Sequence, residues 1–263
     1  MWHYTDAAGA MAIMQSKQFW ASHARHMNDT EEVQQFLNLI VDVLRREARR
    51  RENDDLASAL YMAADNFNRW IEVNYFVVSF SSDPDSLSQW RGYAGGGQGY
   101  ALGFERSMFQ NMPGWRLVEC VYEEVVALDL ARSIVYEGMR VVREGDYNYE
   151  LEDARIYTAI YSRAMTEAPV LKHPAFKEEH ELRLIGGPFG RVAAKVRAGK
   201  RGIMPYVELD WPIGEDGYYH LREVVAGPGA REDTFHGLDI ATSNDEKFEL
   251  FVDVLGSDAP YRS

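Results

Sequence analysis

The chain carries the stretch SFSSDPDSLSQWRGYAGGGQGYALGF at residues 79–104, and this stretch decides the predicted fold. It follows an apolar, partly β-branched run at 75–78 that predicts a strand, and Asp83-Pro84-Asp85 predicts the end of that strand. Glycines at 95, 96, 97 and 99 come next, and residues 100–104 predict a second strand. Glycine allows positive φ and close backbone approach, so a connection of this kind can wrap a ligand.

Large side chains that hydrogen-bond or stack lie between the turn and the glycines: Gln89, Trp90, Arg91 and Tyr93. Two interpretations of this cluster stay open. In the first, the cluster and the glycines form a ligand-binding bend. In the second, the segment is a flexible hairpin connection, and Trp90 and Tyr93 are buried in the core.

The composition describes an acidic globular protein. The chain has 263 residues, 46% of them hydrophobic, with 28 Lys and Arg against 41 Asp and Glu and a net charge of −13. This balance argues against non-specific nucleic-acid binding, because such affinity comes from cations at phosphates. The basic run at 45–51 is interpreted either as a local basic patch or, in preference, as a solvated helix face, because acidic residues follow it directly.

The sequence predicts an intracellular protein. Its one cysteine, Cys120, excludes an intrachain disulfide and suits a reducing cytoplasm. No basic segment followed by an apolar one opens the chain, and no window reaches the roughly 18 apolar residues of a membrane span. We therefore expect a cytoplasmic protein without membrane partners.

Strand and helix patterns follow one another without a regular βα alternation, which favours an α+β fold over a doubly wound sheet. We expect a single domain over 1–263, with helical insertions at roughly 29–72 and 126–166. Asp6 is the expected N-cap of a first helix ending near residue 15. A strand is expected at 115–123, another at 181–185, and a short helix at 244–255.

The pattern Glu179-x-Glu181-x-Arg183 is the second candidate site. On a strand, alternate residues share one face, so all three side chains would line one side. Two carboxylates near a guanidinium can stabilise a developing positive charge and orient a hydroxyl. The alternative is an exposed edge strand whose Glu and Arg only pair with each other.

Other site types are disfavoured. His23 and His26 are three residues apart, with no cysteine or evident carboxylate to complete a metal site, so no metal is expected. No Gly-x-Gly-x-x-Gly opens a helix, and no Gly-Lys-Ser/Thr is present, which argues against Rossmann and P-loop sites.

The chain resembles the domain of unknown function 2971 family across most of its length. The resemblance rests on these segments, in order: His3-Tyr4-Thr5, Phe19-Trp20-Ala21, Asn28-Asp29, residues 79–104, FKEEHELRLI at 176–185, Ile203–Val207, Val224–Pro228 and Pro260–Arg262. That family is in turn similar to the ADP-ribosyltransferase fold. The resemblance therefore implies a split antiparallel sheet with helical insertions, and NAD as the substrate.

The resemblance also implies roles for individual residues. His3 and Thr5 would hydrogen-bond the nicotinamide side of NAD, Ser79 and Ser81 would support the nicotinamide pocket, and Trp90 or Tyr93 would stack on a ring. Gln89 joins the binding set, and Arg91 would hold the pyrophosphate. Glu181 would steady the oxocarbenium-like centre as nicotinamide leaves, and Glu179 would help to activate the acceptor. Either glutamate fits the late position of the motif, and Arg183 is close enough in sequence to neutralise both.

Two functions remain in competition. The first is NAD-dependent ADP-ribosyl transfer or NAD glycohydrolysis, with catalysis by Glu181, Glu179 and His3 and with a macromolecular acceptor that the sequence does not identify. The second is a catalytically silent module that binds a nucleotide or a protein, in stress or phage defence. A glutamate free to face the cleft would favour the enzyme, and a glutamate held by Arg183 is compatible with the binding module.

Overall fold

Alternating strands and amphipathic helices assemble this chain around one open mixed sheet. The computed structural model describes residues 1–27, 30–51, 55–67, 74–140, 149–190, 193–199, 202–243, 248 and 252–260. The strands are β1 (Trp2–Thr5), β2 (Gln18–His23), β3 (Phe76–Ser81), β4 (Tyr100–Phe104), β5 (Trp115–Glu119), β6 (Glu181–Gly186), β7 (Lys195–Gly199), β8 (Gly202–Asp210), β9 (Leu221–Ala226) and β10 (Asp253–Gly256). The helices are α1 (Ala7–Ser16), α2 (Thr30–Arg49), α3 (Asp55–Asn66), α4 (Leu87–Gly92), α5 (Glu124–Arg140), α6 (Tyr149–Glu167) and α7 (Asp233–Ser243).

The strand order along the sheet is β10-β9-β4-β1-β3-β2-β8-β7, and β6 joins the other edge of β3 and is followed by β5. Among the described strands the β9–β10 pair is parallel and the remaining pairs are antiparallel. The sheet is therefore mixed, and β3 lies at its centre.

Strand β3 meets two different strands along one edge. Its C-terminal Ser81 pairs with Trp2 of β1, whereas its N-terminal Phe76 and Val77 pair with His23 and Ser22 of β2. The sheet opens between these two pairings, next to Ser79. The opening matters for the site because it leaves the Ser79 carbonyl to a side-chain partner.

The two faces of the central strands have different apolar surroundings. Phe76, Val78 and Phe80 of β3 belong to a cluster with Phe19, Phe109 and Trp211 on one face. On the other face, Val77 of β3 and Ile185 of β6 pack against the helices α2, α3, α5 and α6. Alternate side chains of β3 are buried on each of the two faces. This explains why the sequence of β3 is almost continuously apolar.

Several predicted elements agree with the structure. Asp6 caps α1, its side chain accepting a hydrogen bond from the Gly9 amide at 2.7 Å. The intervals expected to be helical contain α2 and α3 in one case, and most of α5 and of α6 in the other. The predicted Asn28-Asp29 cap, residues 68–72, the helix break near 145–146 and residues 261–262 lie outside the described residues.

Other predictions were wrong. The segment that carries the polar cluster, expected to be a bend or a flexible hairpin connection, contains the short helix α4. The helix expected at 244–255 is contradicted at its end, because residues 253–256 form β10 beside β9, and the helix α7 comes earlier at 233–243. Glu181 and Arg183 lie on β6, which is buried between β3 and β5, so the exposed edge strand is excluded. The strand from residue 115 ends at Glu119.

The glycine-rich segment packs against the protein and does not wrap an open space. The Gly227 amide donates to the Gly99 carbonyl and the Gly229 amide donates to the Gly97 carbonyl, at 2.9 and 2.8 Å. A Cβ atom added at Gly99 would collide with the Thr5 carbonyl oxygen of β1. These glycines are therefore required for the close approach of three backbone segments.

We predict that Gly99→Ala lowers the free energy of unfolding by about 1–3 kcal/mol, because the added methyl group must displace backbone and not a flexible side chain. Urea unfolding at pH 7 measures the change. Gly190→Ala is the matched control, since its Cβ would meet nothing within 4 Å. Equal stabilities of the two variants would contradict this packing.

Candidate functional site

Strand alternation places a set of polar and aromatic side chains on one face of the central sheet. Ser81 pairs with both Trp2 and Glu181, so these three residues share that face. Two residues further along the strands, Tyr4, Ser79 and Arg183 extend the same face. The helix α4 covers this surface where β1 and β3 meet.

A small polar cavity, of about 70 Å³, lies between these strands and α4. It is lined by Trp2, His3, Tyr4, Ser79, Phe80, Gln89, Tyr93, Glu179 and Glu181. We call it the polar cavity. Whole drug-sized ligands occupy about 300–1,000 Å³, so this space accepts only one end of such a molecule.

Four buried charges form one network at the floor of the polar cavity. Arg183 donates two hydrogen bonds to Glu181, from Nε and from Nη2, each at 2.9 Å and each to a different carboxylate oxygen. Lys172 Nζ donates to Glu181 Oε2 at 2.6 Å and also to Glu179. The two cations and two carboxylates balance, which is what burial of charges requires.

The network determines the protonation of Glu181. Burial by itself would raise the pKa of this carboxyl group, but the charge and hydrogen bonds of Arg183, assisted by Lys172, outweigh it and lower the pKa to about 2. Glu181 is therefore ionised at neutral pH. It can stabilise a positive centre, but it is not a proton donor there.

His3 lies at the opening between β1 and β2. Its ring is on the opposite face from Glu181, edge-on to Phe19 and Phe80 at centroid distances of 5.3 and 5.7 Å. The His3 Nδ1 is 2.9 Å from the Ser79 carbonyl, which can only accept, so Nδ1 carries the proton. Burial lowers the pKa of His3, against the opposing effect of this hydrogen bond, and leaves a neutral ring whose Nε2 is an acceptor.

Two polar groups of the polar cavity have no hydrogen-bond partner among the described residues: the Gln89 side-chain amide and the Ser79 hydroxyl. Gln89 is only 6% exposed. Buried polar groups are ordinarily paired with protein or water, so an unpaired amide on a cavity wall indicates a place for a ligand or for water.

Contacts of the buried Trp90 hold the helix α4 in place. Trp90 is fully buried, its Nε1 donates to Asp85 at 2.6 Å, and its ring meets that of Tyr4 at a centroid distance of 4.7 Å. Asp85 also accepts from the Ser257 hydroxyl and, at 2.7 Å, from the Asp258 amide. The position of Gln89 on α4 thus depends on a residue that also binds the end of the last strand.

The structure brings together six of the predicted site residues in the polar cavity: His3, Ser79, Gln89, Tyr93, Glu179 and Glu181. The remaining four do not line it. Ser81 is buried and donates to the Glu179 carbonyl, Trp90 is a core residue, and Thr5 packs beside Gly9. Arg91 is exposed on α4.

Glu179 differs from its predicted setting. It ends a 3₁₀ turn at Pro174–Glu179 and does not lie on the strand, and His180 follows it with φ of 42°. The chain therefore reverses before β6, which brings Glu179 and Glu181 to the same lysine.

Sequence reasoning missed Lys172, Trp2 and Tyr4. The last two could have been found, because residues on either side of His3 must face the opposite way on a strand. Lys172 carries no such signal, since it follows an apolar run and reaches the glutamates only through the turn that precedes β6.

A larger groove of about 620 Å³ lies elsewhere, between α2 and the start of α5. It is lined mainly by apolar side chains such as Phe36, Leu39 and Leu128, and it reaches Lys172 from the other side. Within the described residues no three His, Cys, Asp or Glu side chains meet as a metal site would require. Likewise, none of the described helices is both long and apolar enough to cross a bilayer.

We predict that Lys172→Met lowers the free energy of unfolding by about 3–5 kcal/mol, because it removes a buried positive charge that two buried carboxylates share. Denaturant unfolding at pH 7 tests this. Lys177→Met is the matched control, since Lys177 also pairs with a glutamate but is 64% exposed, and it should change stability little. Similar losses in the two variants would show that the buried network does not stabilise the fold.

The stability of the fold should also fall in acid through Glu181. Its pKa is lower in the folded chain than the ordinary value of 4.5, so its contribution is complete above pH 4.5 and is lost as the pH falls towards 2. Unfolding free energies measured from pH 5 to pH 2 should decline less steeply in Glu181→Gln than in the wild type. The exposed Glu178→Gln should retain the wild-type decline, and a wild-type decline in Glu181→Gln would contradict the assignment.

Part of this site lies in a segment that matches a family model. Residues 89–184 match the family described as protein of unknown function (DUF2971), a segment that runs from Gln89 to Leu184 of β6. No curated protein and no solved structure matches the chain. The matched segment contains most of α4, the glycines, Lys172 and both glutamates of the polar cavity. Residues 89–184 of this chain are thus similar to the DUF2971 family.

Proposed function

We propose that the polar cavity binds NAD and that the protein catalyses NAD-dependent ADP-ribosyl transfer or NAD glycohydrolysis. One observation carries the proposal: the unpaired Gln89 amide and Ser79 hydroxyl share a cavity with the ionised Glu181. The opening of the sheet between β1 and β2 supports it further, because a split sheet is what the likeness to ADP-ribosyltransferases implies.

The unpaired groups match a primary carboxamide, the polar end of nicotinamide. A glutamine amide offers one carbonyl acceptor and two N–H donors, so it can exchange two hydrogen bonds with another amide. The Ser79 hydroxyl can donate or accept beside it. A cavity of about 70 Å³ suits this end of the molecule and leaves the rest of NAD at the mouth. Tyr93, which lines the cavity and is 40% exposed, is available to a ring, and in this proposal the exposed Arg91, two residues before it in sequence, binds the phosphates.

The reaction replaces one bond to the ribose. The bond between ribose C1′ and the nicotinamide nitrogen breaks, and its electron pair leaves with neutral nicotinamide. A hydroxyl oxygen from water or from an acceptor bonds to C1′ and gives up its proton to a base. In this proposal the Glu181 carboxylate stabilises the positive charge on the ribose, and Glu179 takes the proton.

A second candidate has an observation in its favour. Glu181 is held by Arg183 and Lys172 on both oxygens, so its charge is largely compensated before any ligand arrives. A compensated carboxylate is weak at stabilising a cation. This arrangement favours a catalytically silent module that binds a nucleotide in the polar cavity.

We predict that the wild type releases nicotinamide from NAD and that Gln89→Leu raises KM about tenfold, because it removes charge-free hydrogen bonds to the ligand. Ser79→Ala should act in the same direction. Neither group has a partner in the described protein, so both variants should keep wild-type stability. Glu181→Gln should lower kcat by about 10²–10³-fold.

The exposed Gln98→Leu is the matched control and should leave both constants unchanged. NAD that raises the melting temperature of the wild type but not of Gln89→Leu, without nicotinamide release, would select the binding module. Both functions would be contradicted if the wild type released no nicotinamide and showed no rise in melting temperature with NAD or nicotinamide.

A further inference from the structure

We propose that a second cavity, between α2 and α5, binds a phosphate-bearing anion. This arginine cavity has a volume of about 250 Å³. It is lined by Val43, Arg46, Glu47, Arg50, Arg132 and Tyr136. It shares no lining residue with the polar cavity and does not depend on the proposed NAD chemistry.

Helical spacing creates the arginine cavity. Positions 43, 46 and 47 on α2, and Arg50 directly after the helix, are three or four residues apart and so form one stripe. On α5, positions 132 and 136 do the same. The two helices pack against each other, and the stripes enclose the space between them.

The charges that line the arginine cavity leave a positive excess. Three arginines and one glutamate give +3 − 1 = +2. Glu47 is buried and already shared, accepting from Arg50 at 2.8 Å, from Arg51 at 3.2 Å and from the Tyr136 hydroxyl at 3.1 Å. Glu47 therefore cannot also neutralise the remaining cations.

Arg46, an exposed side chain at the wall of the arginine cavity, is the cation without a counterpart. Among the described residues it makes no hydrogen bond or ion pair, whereas Arg132 pairs with Asp129 at 2.9 Å. An unpaired guanidinium at a cavity wall, in a chain of net charge −13, does not arise from a general excess of basic residues. It matches a ligand that brings its own negative charge.

The chemistry of that ligand follows from the donors. Guanidinium groups bind phosphate through two parallel hydrogen bonds, and several arginines around one site are typical of phosphate recognition. The volume lies below the range for a whole drug-sized ligand, so a phosphate or diphosphate group enters and any attached group stays outside. The half-exposed Tyr136 ring also lines the cavity and can contact the attached group.

This assignment changes the interpretation of the basic run at 45–51. Arg46, Arg49 and Arg50 are all exposed, but only Arg46 and Arg50 line the arginine cavity. The run is thus a solvated helix face on one side and an anion site on the other. Arg49 and Arg46 provide a matched pair of substitutions on one helix.

Titration calorimetry on the whole protein at low salt tests the proposal, with inorganic diphosphate and with ATP as probes. Both probes should bind, and Arg46→Ala should weaken binding by tenfold or more, because it removes charge-assisted hydrogen bonds. Arg49→Ala should change affinity less than twofold. Equal affinities for the probes would identify phosphate alone as the ligand, and tighter ATP binding would identify a nucleotide.

The polar cavity provides the second control. Gln89→Leu should leave diphosphate and ATP binding unchanged, which separates this site from the proposed NAD site. The absence of binding heat with both probes would overturn the proposal. Equal loss of affinity in Arg46→Ala and Arg49→Ala would overturn it too. Arg132→Ala, from the facing helix, should also weaken binding, and unchanged affinity in both Arg46→Ala and Arg132→Ala would overturn it as well.

Discussion

The fold around the candidate site depends on four charges that can be buried only together. Lys172 is 1% exposed at its side chain, and the buried Arg183 and Glu181 cannot be solvated. Each carboxylate therefore needs the lysine, and the lysine needs both carboxylates. Because Lys172 precedes the 3₁₀ turn and Glu181 follows it, this requirement holds the turn closed. The beginning of β6, and with it the floor of the polar cavity, is positioned by charge balance.

The two cavities are alike in one physical respect. In each, most polar groups are used by the fold and a few are not: Gln89 and Ser79 in the polar cavity, Arg46 in the arginine cavity. Groups without a protein partner contribute little to stability, and we expect their substitution to change the affinity for a ligand. Paired groups such as Glu181 and Glu47 line the cavities while their carboxylates are bound by arginines. This division separates residues that maintain the structure from residues available for recognition.

Local patterns predicted much of this structure. The strand before Asp83-Pro84, the Asp6 cap and the position of the long helices follow from periodicity and capping chemistry. The family resemblance predicted one site for Ser79, Gln89 and Glu181, which line one cavity, and for His3, which lines that cavity with its ring on the opposite face of the sheet. What could not be predicted depends on distant partners. The 87–92 segment becomes a helix because Trp90 is buried against Tyr4 and Asp85, and residues 253–256 become a strand because the edge of β9 is available. Lys172 meets its glutamates through a turn that no local pattern specifies.

Asp85 has a consequence for how the site moves. Its carboxylate binds Trp90 of α4 with one oxygen, and through both oxygens it binds Ser257 and Asp258 beyond β10. These partners are separated by more than 160 residues along the chain, but they share one acceptor. An outward displacement of α4 that enlarges the polar cavity for a bulky ligand must strain or release the segment after β10 at the same time. The opening of the cavity and the detachment of that segment therefore form a single cooperative event. The backbone amides of α4 and of the segment after β10 would then exchange with solvent deuterium together.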